Sequence, residues 1–424
     1  MPKADVQPPR IAIVGAGVAG LTAARLLRRK FEISVFEAND YAGGHSNTVA
    51  AEVEGRQFQV DTGFIVCNDR NYPSFLGLLR ELQVELVPTE MSFSVSNPAI
   101  GLEYNGHNLN TLFAQRGNLL RGAFLRMLFD ILRFNRAARP LAGPASGRVD
   151  TSLGDFLARR EFGRLFAENY LLPMVAAIWS CEPGQARDFP MSMLARFFAN
   201  HGLLSLFNRP RWFSIAGGSR SYVRALTADF SDQIRLSTPV RGVRRTGAGV
   251  RLRLDAGEED FDQVVLACHS DQALALLESP TKAESAILGA IPYRPNSVLL
   301  HHDDSLMPGR KRAWASWNFR AGGADGGRPP IVTYCMNILQ RLPSPRPLLV
   351  SLNAEELVDP AAVLAEFDYS HPQYSAQSLR AQARRGEICG VDGIHYCGAW
   401  CYDGFHEDAV RSALDVCRRL ECEA

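Results

Sequence analysis

Arg10-Ile11-Ala12-Ile13-Val14-Gly15-Ala16-Gly17-Val18-Ala19-Gly20 is the stretch that decides the fold. Its first five residues form a short apolar, β-rich run. The Gly-x-Gly-x-x-Gly turn follows at once and opens a helix expected over residues 21–29. A second strand, residues 32–36, ends on Glu37. Glycines alone would be a weak signal. Strand, turn, helix, strand and an acidic residue about twenty positions on together read as a dinucleotide-binding βαβ unit.

Each residue type in that unit has a physical task. Gly15 permits the tight strand-to-helix turn. Gly17 lets backbone approach a pyrophosphate. Gly20 allows helix and strand to pack closely. The helix N-terminus offers unpaired N–H groups and partial positive charge to phosphates. Glu37 can accept from ribose hydroxyls, and its charge would repel a 2′-phosphate, which disfavours NADP.

The rest of the composition narrows the class. A chain of 424 residues suggests two or three domains with ample core. Forty-six basic residues against 45 acidic ones argue against nucleic acid as a partner. The nine cysteines include no CxxC pair, and Cys397 with Cys401 is too isolated for half a zinc site. An odd cysteine count without a signal peptide fits a reducing cytosol, so a cytoplasmic location is expected. No run approaches the roughly 18–20 apolar residues of a bilayer span. Residues 1–9 read as a loose tail, and residues 139–148 and 321–330 as surface connections.

The chain after Glu37 distinguishes the dinucleotides. Ala38 is followed by a second glycine turn, Gly43-Gly44-His45. Residues 51–60 read as a hairpin turning at Glu54-Gly55, and they lead to Asp61-Thr62-Gly63-Phe64-Ile65. A nicotinamide dinucleotide has no use for a second glycine turn. The longer, folded-back FAD does, because its diphosphate and ribitol need backbone approach at more than one place.

On these residues the chain resembles the flavin amine oxidase and phytoene desaturase superfamily. There the first βαβ unit is followed by an acidic residue, a Gly-Gly-Arg turn and an Asp-x-Gly segment beside the flavin. His45 departs from the usual Arg; an imidazole donates one hydrogen bond but cannot fork onto a phosphate. Two later regions carry the same resemblance. Ile215-Ala216-Gly217-Gly218-Ser219, a helix from Ser221 and a return to Val240 look like the family's re-entry into the cofactor domain, with Val240 meeting the adenine. Residues 263–267 resemble its buried strand. Near the end, Ile394 to Trp400 ends a strand and Asp403 to Val410 opens a helix. In the family that helix aims its N-terminus at the flavin pyrimidine, where its dipole stabilises negative charge. Asp408 stands where the family often has Gly.

The resemblance implies an α/β fold with a discontinuous Rossmann-like FAD-binding domain and an α+β substrate domain, amine-oxidase-like. Residues 1–84, 206–284 and 386–424 would form the first, and 85–205 and 285–385 the second. The implied FAD contacts are Gly15, Ala16, Gly17, Val18, Ala19, Gly20, Glu37, Ala38, Gly43, Gly44, His45, Thr62, Gly63, Phe64, Ile65, Val240, Gly398, Trp400, Phe405, His406, Glu407 and Ala409. No cysteine stands where some members tether the flavin, so FAD is expected to be held non-covalently.

The substrate half gives weaker signals. Leu120, Phe124, Leu128 and Leu132 recur at four-residue spacing with Arg121, Arg126, Arg133 and Arg136 among them. Two readings stay open: a core-packing helix with a solvated basic face, and a membrane-surface helix. Residues 162–207 are dense in large apolar side chains and read either as a pocket for a lipid-like molecule or as a helical core. Trp179 and His201 are its polar-tipped members. Tyr374 and Trp400 are further pocket candidates. His301-His302-Asp303-Asp304 has the wrong spacing for a metal, since strand neighbours face opposite ways. No metal is assigned.

Amine oxidases of the family generally keep a lysine on a substrate-domain strand. The matching strand here, Tyr293 to Leu300, puts Ser297, or alternatively Asn296, at that place. This points away from ordinary amine oxidation. A closer resemblance is to a bacterial amine-oxidase-like branch that occurs beside, or fused to, cyclopropane fatty acid synthases. Its marks here are Asn200-His201-Gly202-Leu203-Leu204, Gly217-Gly218-Ser219, His371-Pro372 and Gly398-Ala399-Trp400. That association implies an acyl-lipid substrate, a lipid-methylating enzyme as partner and peripheral membrane contact. The expected activity is hydride removal from a hydrophobic substrate. Redox-neutral double-bond isomerisation, amine oxidation and non-catalytic lipid binding are the alternatives.

Overall fold

Strand Arg10–Val14 lies at the centre of a five-stranded sheet in the computed structural model, which describes residues 8–143, 151–179, 184–205, 209–322 and 330–421. The order is Ile234–Arg235, Glu32–Phe36, Arg10–Val14, Gln263–Leu266, Ile394–Tyr396, and every pair is parallel. Ile11, Ala12, Ile13, Val264, Val265 and Leu266 are fully buried. A parallel sheet covered on both faces demands such unbroken apolar strands. Helix Val18–Leu27 packs against both Arg220–Thr227 and the C-terminal helix His406–Arg419. The start, middle and end of the chain thus meet in one core.

The hairpin Thr48–Val53 and Arg56–Asp61 turns at Glu54 and Gly55, both with positive φ. That is the two-residue turn whose twist matches the strands. Its apolar face does not pack on the parallel sheet. Ala51, Val53, Phe58 and Val60 share a core with Val298, Leu300, Tyr334 and Tyr369 of a second sheet. This seven-stranded sheet runs Val363–Pro372, Tyr293–His301, Leu349–Leu352, Ile331–Cys335, Trp317–Arg320, Phe93–Asn97, Leu102–Asn105. Only the pair Trp317–Arg320 and Phe93–Asn97 is parallel. Strand Leu86–Thr89 pairs with Trp212–Ile215, so the chain is stitched across the expected boundary near residue 85. The boundary at 206, the tail over residues 1–7 and most of the two surface connections lie outside the described residues.

A helical layer covers the second sheet. It comprises Gly122–Ala138, Leu153–Arg159, Leu172–Trp179 and Met191–Asn200, closed around Phe134, Phe156, Phe166 and Phe198. The expected stripe on the first of these helices is corrected. Leu120 precedes the helix and is 92 % exposed, and Leu132 also faces out. The buried face is Phe124, Met127, Phe134 and Ala138. A strict four-residue repeat advances by about 400° per step and walks around the helix, so it cannot mark one face for long. No helix among the described residues is long and apolar enough to cross a membrane.

Candidate functional site

The glycine turn is shaped by backbone crowding. Gly15 has φ +105°, and a Cβ there would lie 3.0 Å from the Ala267 carbonyl oxygen. A Cβ on Gly20 would sit 1.9 Å from the Gly15 oxygen. A Cβ on Gly17 would meet nothing within 4 Å, so its face is open. The second glycine turn docks directly on the first. The Gly43 N–H donates to the Ala16 carbonyl at 2.8 Å, and a Cβ on Gly44 would lie 3.3 Å from the Gly17 Cα. Gly17 starts helix Val18–Leu27 without a side-chain cap, and no acid occupies the first turn. The Val18 and Ala19 end of that helix therefore presents donors and positive potential above two abutting glycine turns, which fits a diphosphate.

Glu37 is buried and braces this cradle. Its Oε2 accepts from the Ala16 N–H at 2.8 Å, and its Oε1 accepts from both nitrogens of Asn39 at 2.9 Å. A carboxylate has about four acceptor positions, so one remains for a ribose hydroxyl. Ala38 is exposed beside it, and the Thr238 N–H donates to the Glu37 carbonyl, which brings the segment leading to Val240 against Glu37.

Asp61 is a latch. It accepts from Thr48 Oγ1 at 2.6 Å, from the Ser219 N–H and Oγ at 2.8 Å, and from Gln340 Nε2 at 2.9 Å. Hairpin, second domain crossing and substrate sheet are joined there. Gly63 fits because a Cβ would be 2.3 Å from the His45 oxygen, to which the Phe64 N–H donates at 2.7 Å. Phe64 stacks on His406 with ring centroids 3.7 Å apart. His406 Nε2 bonds the Tyr222 hydroxyl at 2.7 Å. Ile65 and Ala409 are buried packing residues.

Between the two sheets lies a cluster that local sequence did not reveal. His45 has His371 at 5.5 Å, Tyr369 at 4.9 Å and His269 at 6.3 Å between ring centroids. His269 stacks on Tyr293 at 4.2 Å. Burial, then the neighbouring imidazole, lowers His45 and His269 to about 4 and His371 to about 3. Burial likewise lowers His406 to about 3, with His45 next. These rings are neutral at pH 7. The three histidines sit at positions 45, 269 and 371, and no spacing in the sequence could have joined them.

An aromatic box adjoins the C-terminal motif. His201 stacks on Phe197 at 3.8 Å, Phe197 stacks on Phe405 at 4.8 Å, and Trp179 lies 4.8 Å from Phe197. Phe405 is the N-cap of the C-terminal helix. Burial lowers His201 to about 4, and its Nδ1 faces the Phe197 carbonyl at 3.0 Å. Trp179 Nε1 and the Tyr374 hydroxyl are buried without a partner among the described residues. Tyr374 faces Gly404, where a Cβ would come within 2.7 Å of its oxygen.

Three expected site residues are placed differently. Trp400 is buried in the dinucleotide-side core, and its Nε1–H donates to the Cys268 carbonyl at 3.2 Å; its ring is what a Cβ on Gly398 would meet, at 2.8 Å. Glu407 spends both carboxylate oxygens on the Ser74 and Phe75 N–H groups, capping helix Pro73–Glu81. Ser297 faces away from the cluster, and Asn296 faces it. Asn296 Nδ2 bonds His371 Nδ1 at 3.0 Å, and its Oδ1 accepts from Asn353 at 2.9 Å. Alternation along a strand makes one residue's slip a change of face. No lysine among the described residues reaches the cluster: Lys30, Lys282 and Lys311 are all exposed elsewhere. No group of three or more metal-ligating side chains converges among them either.

A parallel sheet with two abutting glycine turns, facing a mainly antiparallel sheet across a half-buried ring cluster, defines a two-domain protein built around a long dinucleotide. The model of the flavin-containing amine oxidoreductase family matches residues 18–305. The chain belongs to that family, and its cofactor is FAD. A curated relative from Mycobacterium tuberculosis is AofH, assigned by name as a flavin-containing monoamine oxidase; it is 28% identical over 347 residues, 76% of this chain and 69% of its own length. Among solved structures, a putrescine oxidase double mutant superposes with a TM-score of 0.70 at 14% identity, covering 98% of this chain and 100% of its own. A CLA-producing fatty acid isomerase from P. acnes gives 0.69 at 14% identity, covering 97% and 98%. These two likenesses concern the fold.

Proposed function

We propose that this FAD-dependent oxidoreductase acts on a hydrophobic, acyl-lipid substrate whose C–H bond is held against the flavin. The observation that carries the reading is the wall facing the dinucleotide domain. It holds neutral imidazoles and aromatic rings, and no lysine among the described residues reaches it. Trp179, Phe197, His201, Phe405 and Tyr374 would enclose an apolar chain, with the Trp179 N–H and Tyr374 O–H, which have no partner among the described residues, as two donors for one polar end. When bound, the flavin would supply the acceptor, taking the two electrons as a hydride at N5. The residues supply position and exclusion of water. A lipid-methylating enzyme as partner belongs to the same reading.

The low basicity of the imidazoles favours a second version. Desaturation sends a hydride to the flavin and must also release a proton from the adjoining carbon. Double-bond isomerisation takes a hydride from one allylic carbon and returns it to the other, so no proton leaves. Imidazoles held at about 3 to 4 are poor bases, which favours the return. Anaerobic mixing with an unsaturated fatty acid separates the outcomes. Isomer without an acceptor supports isomerisation, and bleached flavin with a new double bond supports desaturation. Hydrogen peroxide released from an amine panel, with every lipid inert, overturns both.

A further inference from the structure

Seven of the nine exposed large apolar side chains among the described residues fall between positions 100 and 132. They are Ile100, Leu109, Leu119, Leu120, Leu125, Phe129 and Leu132, and scattered surface residues would not gather so. The last three lie on helix Gly122–Ala138. At about 100° per residue they occupy an arc roughly 60° wide. That arc is opposite the buried face of Phe124, Met127, Phe134 and Ala138, so no rotation of the helix can bury both. The remaining members are held alongside. Arg116 bonds the Asn110 side chain at 2.6 Å and ties the Leu109 turn to the Leu119-Leu120 turn. Arg121 reaches the Ile100 carbonyl at 3.4 Å.

The segment that carries the patch has charge of nearly one sign. Between Glu103 and Asp150 the sequence holds seven arginines and a single carboxylate, Asp130. Asp130 is buried, where it pairs with Arg133 at 2.6 Å and accepts from the Gly163 N–H at 3.0 Å. Glu103 is engaged by Arg310. Arg126 and Arg136 are exposed, with no carboxylate partner among the described residues. Guanidinium groups flanking an outward apolar stripe, with the one local acid turned inward, match an interface of acyl chains beneath anionic headgroups. A second copy of this chain would bring the same arginines face to face.

We propose that this patch docks the protein on an anionic lipid bilayer, with Leu120 and Phe129 entering the acyl boundary and Arg126 and Arg136 at the headgroups. The inference does not rest on the acyl-lipid reading of the active site. The test is co-sedimentation of the full-length, FAD-loaded protein with phosphatidylcholine vesicles, with and without phosphatidylglycerol. Binding to the anionic vesicles that weakens at high salt is expected. Leu120→Ser with Phe129→Ser should lower it at least tenfold while retained flavin and melting temperature stay unchanged. Arg126→Glu with Arg136→Glu should abolish the preference for phosphatidylglycerol. Failure to bind anionic vesicles overturns the proposal, as does binding undiminished in the first variant. A patch variant that only converts a dimer to a monomer overturns it too, and assigns the surface to self-association.

Discussion

Two glycines in one turn illustrate how differently single residues act. Gly20 is required by the fold, because any Cβ would collide with the Gly15 oxygen at 1.9 Å. Gly17 has open space above it, and no contact among the described residues demands that it lack a Cβ. Gly20→Ala should therefore cost roughly 2 kcal/mol or more of stability, as overpacking against backbone does. Gly17→Ala should leave the melting temperature of the cofactor-free protein unchanged and weaken FAD retention at least tenfold, read from flavin absorbance. Two tryptophans divide in the same way. Trp400→Phe removes the bond to the Cys268 carbonyl and should lower stability by about 1–2 kcal/mol with little change in turnover. Trp179→Phe breaks no bond within the described residues and should change kcat/KM for the substrate while the melting temperature holds.

Elements explain which neighbours share a face. Strand Tyr293–His301 pairs with Val363–Pro372 so that Asn296 opposes Tyr369 and Arg294 opposes His371. Tyr369 and His371 face His45, which puts Asn296 on the side of the ring cluster and Ser297 on the other. Asn296→Ala strands the Asn353 amide and frees His371, so a loss of about 1–3 kcal/mol together with reduced kcat/KM is expected. Ser297→Ala should alter stability by no more than about 0.5 kcal/mol and leave turnover intact. Equal effects of the two changes on kcat/KM would contradict this register. Strands and hairpins of the dinucleotide domain were legible because short alternating or unbroken apolar runs with glycine turns are local signals. The buried face of helix Gly122–Ala138 was not, because apolar residues lie on both of its faces and only the neighbouring Phe156, Phe166 and Phe198 select one.

At the scale of the whole molecule, the histidines couple folding to pH. His45, His201, His269, His371 and His406 are all lowered by burial to between about 3 and 4. An unfolded histidine titrates near 6.5, so below that pH the unfolded chain binds protons that the folded chain refuses. Their contribution to stability is complete above about pH 6.5 and is lost as the pH falls towards about 4. Each imidazole removes about 1.4 kcal/mol per pH unit across that window. Urea midpoints measured from pH 7 down to 4.5 should decline steadily. Burial raises Asp61 to about 6 and Asp408 to about 7, which opposes this trend. Five histidines against two acids leave a net decline, and a rising trend would show that these rings are not held neutral in the fold.

What the sequence determined by itself is the cofactor half. Arg10 to Glu37, Gly43-Gly44 and Asp61-Thr62-Gly63 specify a dinucleotide cradle through contacts made almost entirely by backbone, and backbone geometry follows from which residues lack a Cβ. What only tertiary structure decided is the wall facing that cradle and the patch outside it. His45, His269 and His371 meet because two sheets close on one another, and Phe129 is left outside because its helix turns Phe124, Met127 and Phe134 towards the phenylalanine core on the other side. Side chains gathered from distant strands acquire their burial, charge and neighbours from packing, and packing has no period along the chain.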